Sequence, residues 1–240
     1  MNIVIDQGNS SAKIAIFDRK KLYASYIYKS LKPERFLKLL LQYSPSHGIF
    51  SSVTEKEPEY LEVLRSKIKH FVVLNAETPL PIRLKYETPD TLGKDRIAAA
   101  VGAYKQKPGK NLLVIDAGTA ITYDYIDANG VYFGGNISPG MTIRFKSLHH
   151  YTSQLPMLDE KGDIPFIGDS TDTAIRSGVV SGIVREMDSY ITEFKKKHNV
   201  LIFLTGGHSF YFESRLKNTI FADGNLVLKG LNEILNYQYA

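Results

Sequence analysis

Two places in the sequence set a carboxylate and a glycine at the end of an apolar run: Asp6-Gln7-Gly8-Asn9 after Ile3-Val4-Ile5, and Asp116-Ala117-Gly118-Thr119 after Leu112-Leu113-Val114-Ile115. A strand ending this way offers a carboxylate beside a row of backbone N–H groups, and such a row is an anion nest. Glycine suits the turn because phosphate oxygens approach the backbone where a Cβ would block them, while the carboxylate can hold Mg²⁺ or another cation that bridges phosphates. Two such turns facing one another would clamp the β- and γ-phosphates of a nucleotide; either alone is also an ordinary glycine hairpin.

Two further segments carry ligand chemistry. YETPDTLGKDR, from Tyr86 to Arg96, sets an acid beside a guanidinium at a predicted helix start. A carboxylate there can accept a proton and a planar Arg fork matches a carboxylate, although Asp at a helix start also reads as a cap. GGNISPG, from Gly134 to Gly140, reads as a glycine-rich, proline-locked loop before the next helix. Thr205-Gly206-Gly207 follows a predicted strand and by itself reads as a plain loop. His149 and His150 are neighbours on a predicted helix and point to different faces, so they are expected at the surface rather than on a metal.

The elements that must position these residues follow from periodicity. Ile3 to Ile5, Ala12 to Phe17 and Leu22 to Tyr28 read as a β-meander, Pro33 to Tyr43 as a helix, Gly48 to Val53 as a strand, the stretch through Tyr60 and Ile68 as a helix, and Phe71 to Leu74 as a strand. The order is βββαβαβ. After the Ala-rich helix Asp95 to Gln106, stopped by Pro108-Gly109, strands at 112–116, 120–126 and 131–133 repeat the start of the first half, followed by a helix near 140–148. Ile175, Val179, Ile183, Met187, Ile191 and Phe194 recur at helical spacing and predict one long amphipathic helix from Thr171 to His198. A strand from Val200 to Leu204 and two helices end the chain, and 149–169 shows no period. IVIDQGNSSAKIAIFD matches LLVIDAGTAITYDYID, which implies a duplication with domains 1–108 and 109–240.

Composition bounds the rest. The chain has 240 residues, 43% of them hydrophobic, which supports a buried core and excludes disorder, collagen and coiled coil. Lys and Arg exceed Asp and Glu by 30 to 25, a mild surplus that suits anionic small molecules. The dense run Lys195-Lys196-Lys197-His198 ends the long helix, where cations complement the dipole, so no nucleic-acid partner is expected. Cysteine is absent, which excludes disulfides, thiolate zinc sites and a Cys nucleophile. No 18-residue apolar run exists and the first residues form a strand, so no membrane partner and a cytoplasmic location are expected.

The paired Asp-x-Gly turns and the βββαβαβ order resemble the superfamily of sugar kinases, heat-shock ATPases and actin. The resemblance implies an α/β fold of two RNase-H-like domains related by duplication, each with a mixed sheet, closing over ATP, with Gly206 and Gly207 on the adenosine side. At YETPDTLGKDR and GGNISPG it becomes specific: the sequence is similar to the type III pantothenate kinases, whose relatives include the Bvg accessory factor. The family's D-x-G-N-[ST] falls on Asp6, Gly8, Asn9 and Ser10, its G-x-D-R on Gly93, Asp95 and Arg96, its D-x-G-T-A on Asp116, Gly118, Thr119 and Ala120, and its G-G-x-I-x-P-G on Gly134, Gly135, Ile137, Pro139 and Gly140.

That resemblance implies ATP-dependent phosphorylation of pantothenate to 4′-phosphopantothenate, the first step of coenzyme A biosynthesis. It implies Asp95 as general base and Tyr86, Gly93, Lys94, Asp95, Arg96 and Thr171 as pantothenate contacts. Asp6, Gly8, Asn9, Ser10, Lys13, Thr119, Gly206 and Gly207 would contact ATP, Asp6 would organise Mg²⁺ through the phosphates, and Asp116 would hold a monovalent cation, K⁺ or NH₄⁺. A homodimer whose interface helps build the pantothenate pocket is implied as well. The chain departs from the pattern at Ala99, where members often have Asn, and Thr171 also reads as a helix cap. Two other readings stay open: a non-catalytic transcription-accessory regulator, although no helix-turn-helix or basic stripe is evident, and a kinase for another small hydroxyl substrate.

Overall fold

The computed structural model describes residues 1–8, 11–29, 33–53, 58 and 60–239; Asn9 and Ser10 therefore lie outside the described residues. By packing the chain groups into two compact units, Met1–Gly109 with Ile126–Phe133 and Asn225–Ala240, and Lys110–Tyr125 with Gly134–Gly224.

In the first unit β1 (Asn2–Gln7), β2 (Ala12–Asp18) and β3 (Lys21–Tyr28) form the expected antiparallel meander. α1 (Pro33–Tyr43) and α2 (Tyr60–Lys67) then carry the chain to β4 (His47–Ser52) and β5 (His70–Val73), which run parallel to β1. The sheet order is β3-β2-β1-β4-β5, the mixed RNase-H-like arrangement. β1 is central and covered on both sides, which is why its apolar run is continuous rather than alternating. Ile3, Ile5, Ile14 and Ile16 pack under Phe36 and Leu39 of α1 and Leu61 and Leu64 of α2.

The other face of that sheet carries α3 (Lys94–Gln106) and α7 (Leu226–Tyr237). Their backbones cross closely: a Cβ on Gly230 would lie 1.7 Å from the Ala98 carbonyl oxygen, and one on Gly102 2.5 Å from that of Leu226. Asn2 Nδ2 donates to Oδ1 of both Asn232 and Asn236, at 2.8 and 2.9 Å, tying α7 to the start of β1. β6 (Arg83–Leu84), a two-residue strand that the sequence does not announce, pairs with Val131 and Tyr132.

In the second unit β7 (Leu112–Ala117) runs parallel to β10 (Leu201–Thr205), which runs parallel to the short β11 (Phe221–Ala222). The strand order is β11-β10-β7-β8-β9-β6, with β8 at Ala120–Ile126 and β9 at Val131–Pro139. β9 is longer than the sequence suggests, and most of GGNISPG is strand rather than loop. The glycines are there for space. A Cβ on Gly135 would lie 1.6 Å from the Tyr123 carbonyl oxygen, and Gly134 takes φ +99, so β9 lies close against β8 where side chains could not.

α4 (Met141–His150) and α5 (Thr171–His198) cover this sheet, and α5 buries Ile175, Val179, Ile183, Met187 and Ile191 along one face as its spacing predicts. Asn199 in the left-handed region ends α5, and Lys195 in its last turn donates to Asn218 Oδ1 at 2.9 Å. The aperiodic segment 151–170 is an ordered loop fastened to α5: Arg176 Nε donates to the Asp159 carbonyl at 3.1 Å and Ser177 Oγ to that of Pro165 at 2.6 Å. α6 (Ser209–Glu213) follows β10.

Candidate active site

Asp6 ends β1, with Lys13 of β2 and Ser51 of β4 as its direct cross-strand neighbours. The turn after it is closed by the Gly8 N–H on the Ser11 carbonyl at 3.0 Å. Gln7, the unspecified residue of Asp-x-Gly, braces that turn: Tyr60 of α2 donates its hydroxyl to Gln7 Oε1 at 2.7 Å, and Gln7 Nε2 donates to the Gly8 carbonyl at 3.0 Å. Burial pushes the Asp6 carboxyl up to about 6, the negative charge of Asp95 adds to the rise, and Lys13 opposes it. Ser51 is fully buried and its Oγ has no hydrogen-bond partner among the described residues.

Asp95 is the second residue of α3. Its Oδ1 accepts the Arg96 backbone N–H at 2.8 Å, so the carboxylate folds back over the positive end of the helix. The capping alternative is therefore not met in its usual form, since the position before the helix belongs to Gly93. Gly93 leaves the space: a Cβ there would lie 2.6 Å from Asp95 Oδ1. Arg96 is buried, with its guanidinium 5.9 Å from the Tyr86 ring centroid, and Tyr86 in turn tilts against Tyr132. Ala99 is buried in α3. The first unit thus gathers Asp6, Lys13, Asp95 and the residues around the start of α3.

In the second unit Asp116 ends β7 beside Thr205 of β10. Gly206, at φ +95, sits so close that a Cβ on it would lie 2.4 Å from Asp116 Oδ1, and His208 N–H reaches the Ala117 carbonyl at 3.0 Å. The Asp-x-Gly turn is closed by the Gly118 N–H on the Ala120 carbonyl at 3.0 Å, and Gly140 donates its N–H to the Thr119 carbonyl at 3.1 Å. A Cβ on Gly140 would lie 2.3 Å from the same oxygen, which explains the glycine that closes GGNISPG. Thr119 and Gly207 are exposed at the rim of this cluster. Ser209, just beyond, is buried, its hydroxyl without a partner among the described residues.

Thr171 begins α5 but does not cap it. That role belongs to Ser170, whose side chain accepts the Thr173 N–H in a reciprocal capping box. Thr171 instead lines a groove of about 670 Å³ with Arg144, Ser147, Leu148, Leu155 and Ile175. His149 and His150 are exposed, and His149 Nδ1 meets the Leu155 carbonyl at 2.8 Å. Among the described residues no three His, Asp or Glu side chains gather as a ready-made metal cage.

One supporting network has no sequence signal. Arg144 of α4 donates to the Pro139 carbonyl and Ser138 Oγ, both at 2.8 Å, and pairs with Glu186 of α5 at 2.5 Å, while Tyr123 donates its hydroxyl to Glu186 Oε1 at 2.7 Å. These residues lie up to 63 positions apart, and no local period announces such contacts.

The sequence model of the type III pantothenate kinases matches residues 2–193. A type III pantothenate kinase of Azobacteroides pseudotrichonymphae genomovar. CFP2 is 51% identical over 99% of this chain and 97% of its own, and one of Phocaeicola vulgatus is 48% identical over 99% and 98%. Among solved structures, a Baf family protein from Campylobacter jejuni superposes with a TM-score of 0.63 at 24% identity, covering 99% of this chain and 98% of that one, which is a likeness of fold. With its paired Asp-x-Gly turns, its Gly93-Lys94-Asp95-Arg96 helix start and full-length relatives at this identity, the chain belongs to the type III pantothenate kinase family.

Proposed function

We propose that this pantothenate kinase moves the γ-phosphoryl group of ATP to the 4′-hydroxyl of pantothenate with Asp95 as its general base. The observation that supports this assignment is the Asp95 carboxylate at the start of α3, its Oδ1 on the Arg96 N–H and its charge felt at Asp6 of the phosphate turn. Held through Oδ1 on the Arg96 N–H, the Asp95 carboxylate takes the hydroxyl proton as that oxygen attacks phosphorus, a contribution of about 10²–10⁴ in rate. The rest is positioning and charge neutralisation.

Buried Arg96, stacked near Tyr86, offers a planar fork for the pantothenate carboxylate, and Gly93, Lys94, Tyr86 and Thr171 complete the substrate set. Gly8, Asn9, Ser10, Lys13, Thr119, Gly206 and Gly207 are assigned to ATP. Asp6 fits Mg²⁺: burial and the Asp95 charge push its carboxyl up to about 6 although Lys13 opposes them, and one or two carboxylates with phosphate and water are the usual Mg²⁺ set. Held by Asp6, Mg²⁺ would neutralise the charge that develops on the phosphates during transfer. Asp116 is assigned to the monovalent cation, K⁺ or NH₄⁺, its Oδ1 kept approachable by Gly206.

A homodimer belongs to the same reading. Exposed Ala174 and Gly178 on α5 and strongly exposed Phe166 and Ile167 beside it offer apolar, close-approach surface to a second copy. We assign the enzyme to the cytoplasm; no helix among the described residues is long and apolar enough to cross a membrane. The halves 1–108 and 109–240 are proposed as the duplicated units.

The test is ADP release from ATP, Mg²⁺ and pantothenate in potassium and then in sodium, with Asp95→Asn alongside. Pantothenate-dependent turnover, stimulated by potassium and lost in a folded variant that still binds ATP, is the expected result. Full activity in Asp95→Asn would remove the base assignment, and turnover with another hydroxyl substrate in place of pantothenate would remove the acceptor.

A further inference from the structure

Ser51 is a polar residue where the fold alone asks for none. It lies in β4 between buried Phe50 and half-buried Ser52, it is fully buried, and its hydroxyl has no hydrogen-bond partner among the described residues. Leaving a hydroxyl in that state carries a desolvation cost that alanine at the same position would not. Nothing about the strand requires serine, since neither a cap nor a turn is being made.

Its location explains it better. In the parallel register of β1 and β4, Ser51 is the direct partner of Asp6, and partners in register project to the same face of the sheet. The Asp6 carboxylate, although it is the neighbouring acceptor, does not take the Ser51 proton in a direct bond. A hydroxyl and a carboxylate that share a face without bonding directly can share one water. Mg²⁺, assigned to Asp6 above, keeps several of its waters when bound.

We propose that Ser51 is a positioning residue of the Asp6 site, its hydroxyl reserved for a water of the Mg²⁺ that the nucleotide carries to Asp6. The proposal rests on the assignment of Asp6 made above. Ser51 orients the hydration shell and touches neither substrate. Outer-shell partners of this kind change metal affinity by about 10–100-fold when removed.

The experiment compares the full-length wild type with Ser51→Ala by thermal unfolding, first alone, then with a non-hydrolysable ATP analogue in EDTA, then with the analogue across a Mg²⁺ titration. The variant alone should be as stable as the wild type or more so, because no internal hydrogen bond is lost. In EDTA its response to the analogue should equal that of the wild type, and the Mg²⁺ concentration for half-maximal stabilisation should rise about tenfold. In turnover, the apparent KM for Mg²⁺ should rise by a similar factor while kcat at saturating Mg²⁺ stays within about twofold of the wild type. An unchanged Mg²⁺ midpoint overturns the proposal, leaving at most a plain buried water, and so does a variant that is less stable alone, which would mean a structural hydrogen bond. A wild-type chain without any Mg²⁺-dependent stabilisation overturns the Asp6 assignment and this proposal together, whereas a normal wild type with an indifferent variant overturns the role of Ser51 alone.

Discussion

Asp95, at the start of α3, acts across space on Asp6, at the end of β1: burial is the larger cause, but the Asp95 charge adds to it and the Asp6 carboxyl is pushed up to about 6 from 3.8. Because the folded value is raised, the proton-bound form favours folding, so this contribution is present below 3.8 and is lost as pH rises through about 6. Asp6→Asn should therefore stabilise the ligand-free protein at pH 7, by about 5 °C in unfolding midpoint, and flatten its pH dependence between 4 and 6. The same variant should lose the stabilisation that ATP and Mg²⁺ give the wild type. Unfolding curves from pH 4 to 8, with and without nucleotide, check both; a destabilised ligand-free variant would contradict the reading.

Gly93 is present for space, since its φ of −54 is ordinary. Gly93→Ala would set a methyl 2.6 Å from Asp95 Oδ1 and force that carboxylate off the Arg96 N–H. If Asp95 is the base proposed above, the expected result is a fall in kcat of about 10–100-fold with nucleotide binding intact, because misplacing it costs rate rather than affinity. Steady-state kinetics in both substrates decide it.

The β-meander, the parallel strands and α5 were legible because each carries its own period over four or more residues, and both Asp-x-Gly turns were legible because glycine and a carboxylate at a strand end have few other uses. Gly134 and Gly135 misled, since glycine reads as loop when its purpose here is the close approach of β9 to Tyr123. Thr171 and Ser170 compete for one cap, and only the bond to Thr173 separates them. Gln7, Ser51 and Glu186 were invisible because their meaning lies in partners 53, 45 and 42 positions away, which no local pattern encodes.

His47 and His70 stack with ring centroids 4.7 Å apart, and Tyr239 meets both edge-on. The His47 pKa is lowered by burial first, then by His70, the N-terminal amine and Lys69, all of them positive or able to become so. A lowered folded value means that the unfolded chain takes its proton first. Stability is therefore unaffected above about pH 6.5 and falls as pH drops through the window beneath it. His47→Phe keeps the stacking and removes the titration, so its unfolding midpoint should fall less than that of the wild type between pH 7 and 5. Comparing the two proteins cancels the opposite contribution of Asp6, and parallel curves would exclude His47 as the source.

Arg144 and Glu186 are each partly exposed, yet they are more than a surface pair because Tyr123, Ser138 and the Pro139 carbonyl converge on them. Burial alone would raise the Glu186 carboxyl, but hydrogen bonds from Arg144, Tyr123 and Ser138 with the Arg144 charge hold it below its ordinary value. That contribution is present above pH 4.5 and lost as pH falls through the lower folded value. Glu186→Ala leaves Arg144 and Tyr123 without their acceptor and should cost about 2–4 kcal/mol, as should Arg144→Ala. The double variant should cost less than the sum, by about 1–3 kcal/mol of coupling. Since Arg144 holds the strand end whose Gly140 rests on Thr119, both single variants should also raise the KM for ATP more than they lower kcat. Denaturant unfolding of the four proteins measures the first effect and steady-state kinetics the second; additive costs with an unchanged KM would reduce the network to an ordinary surface ion pair.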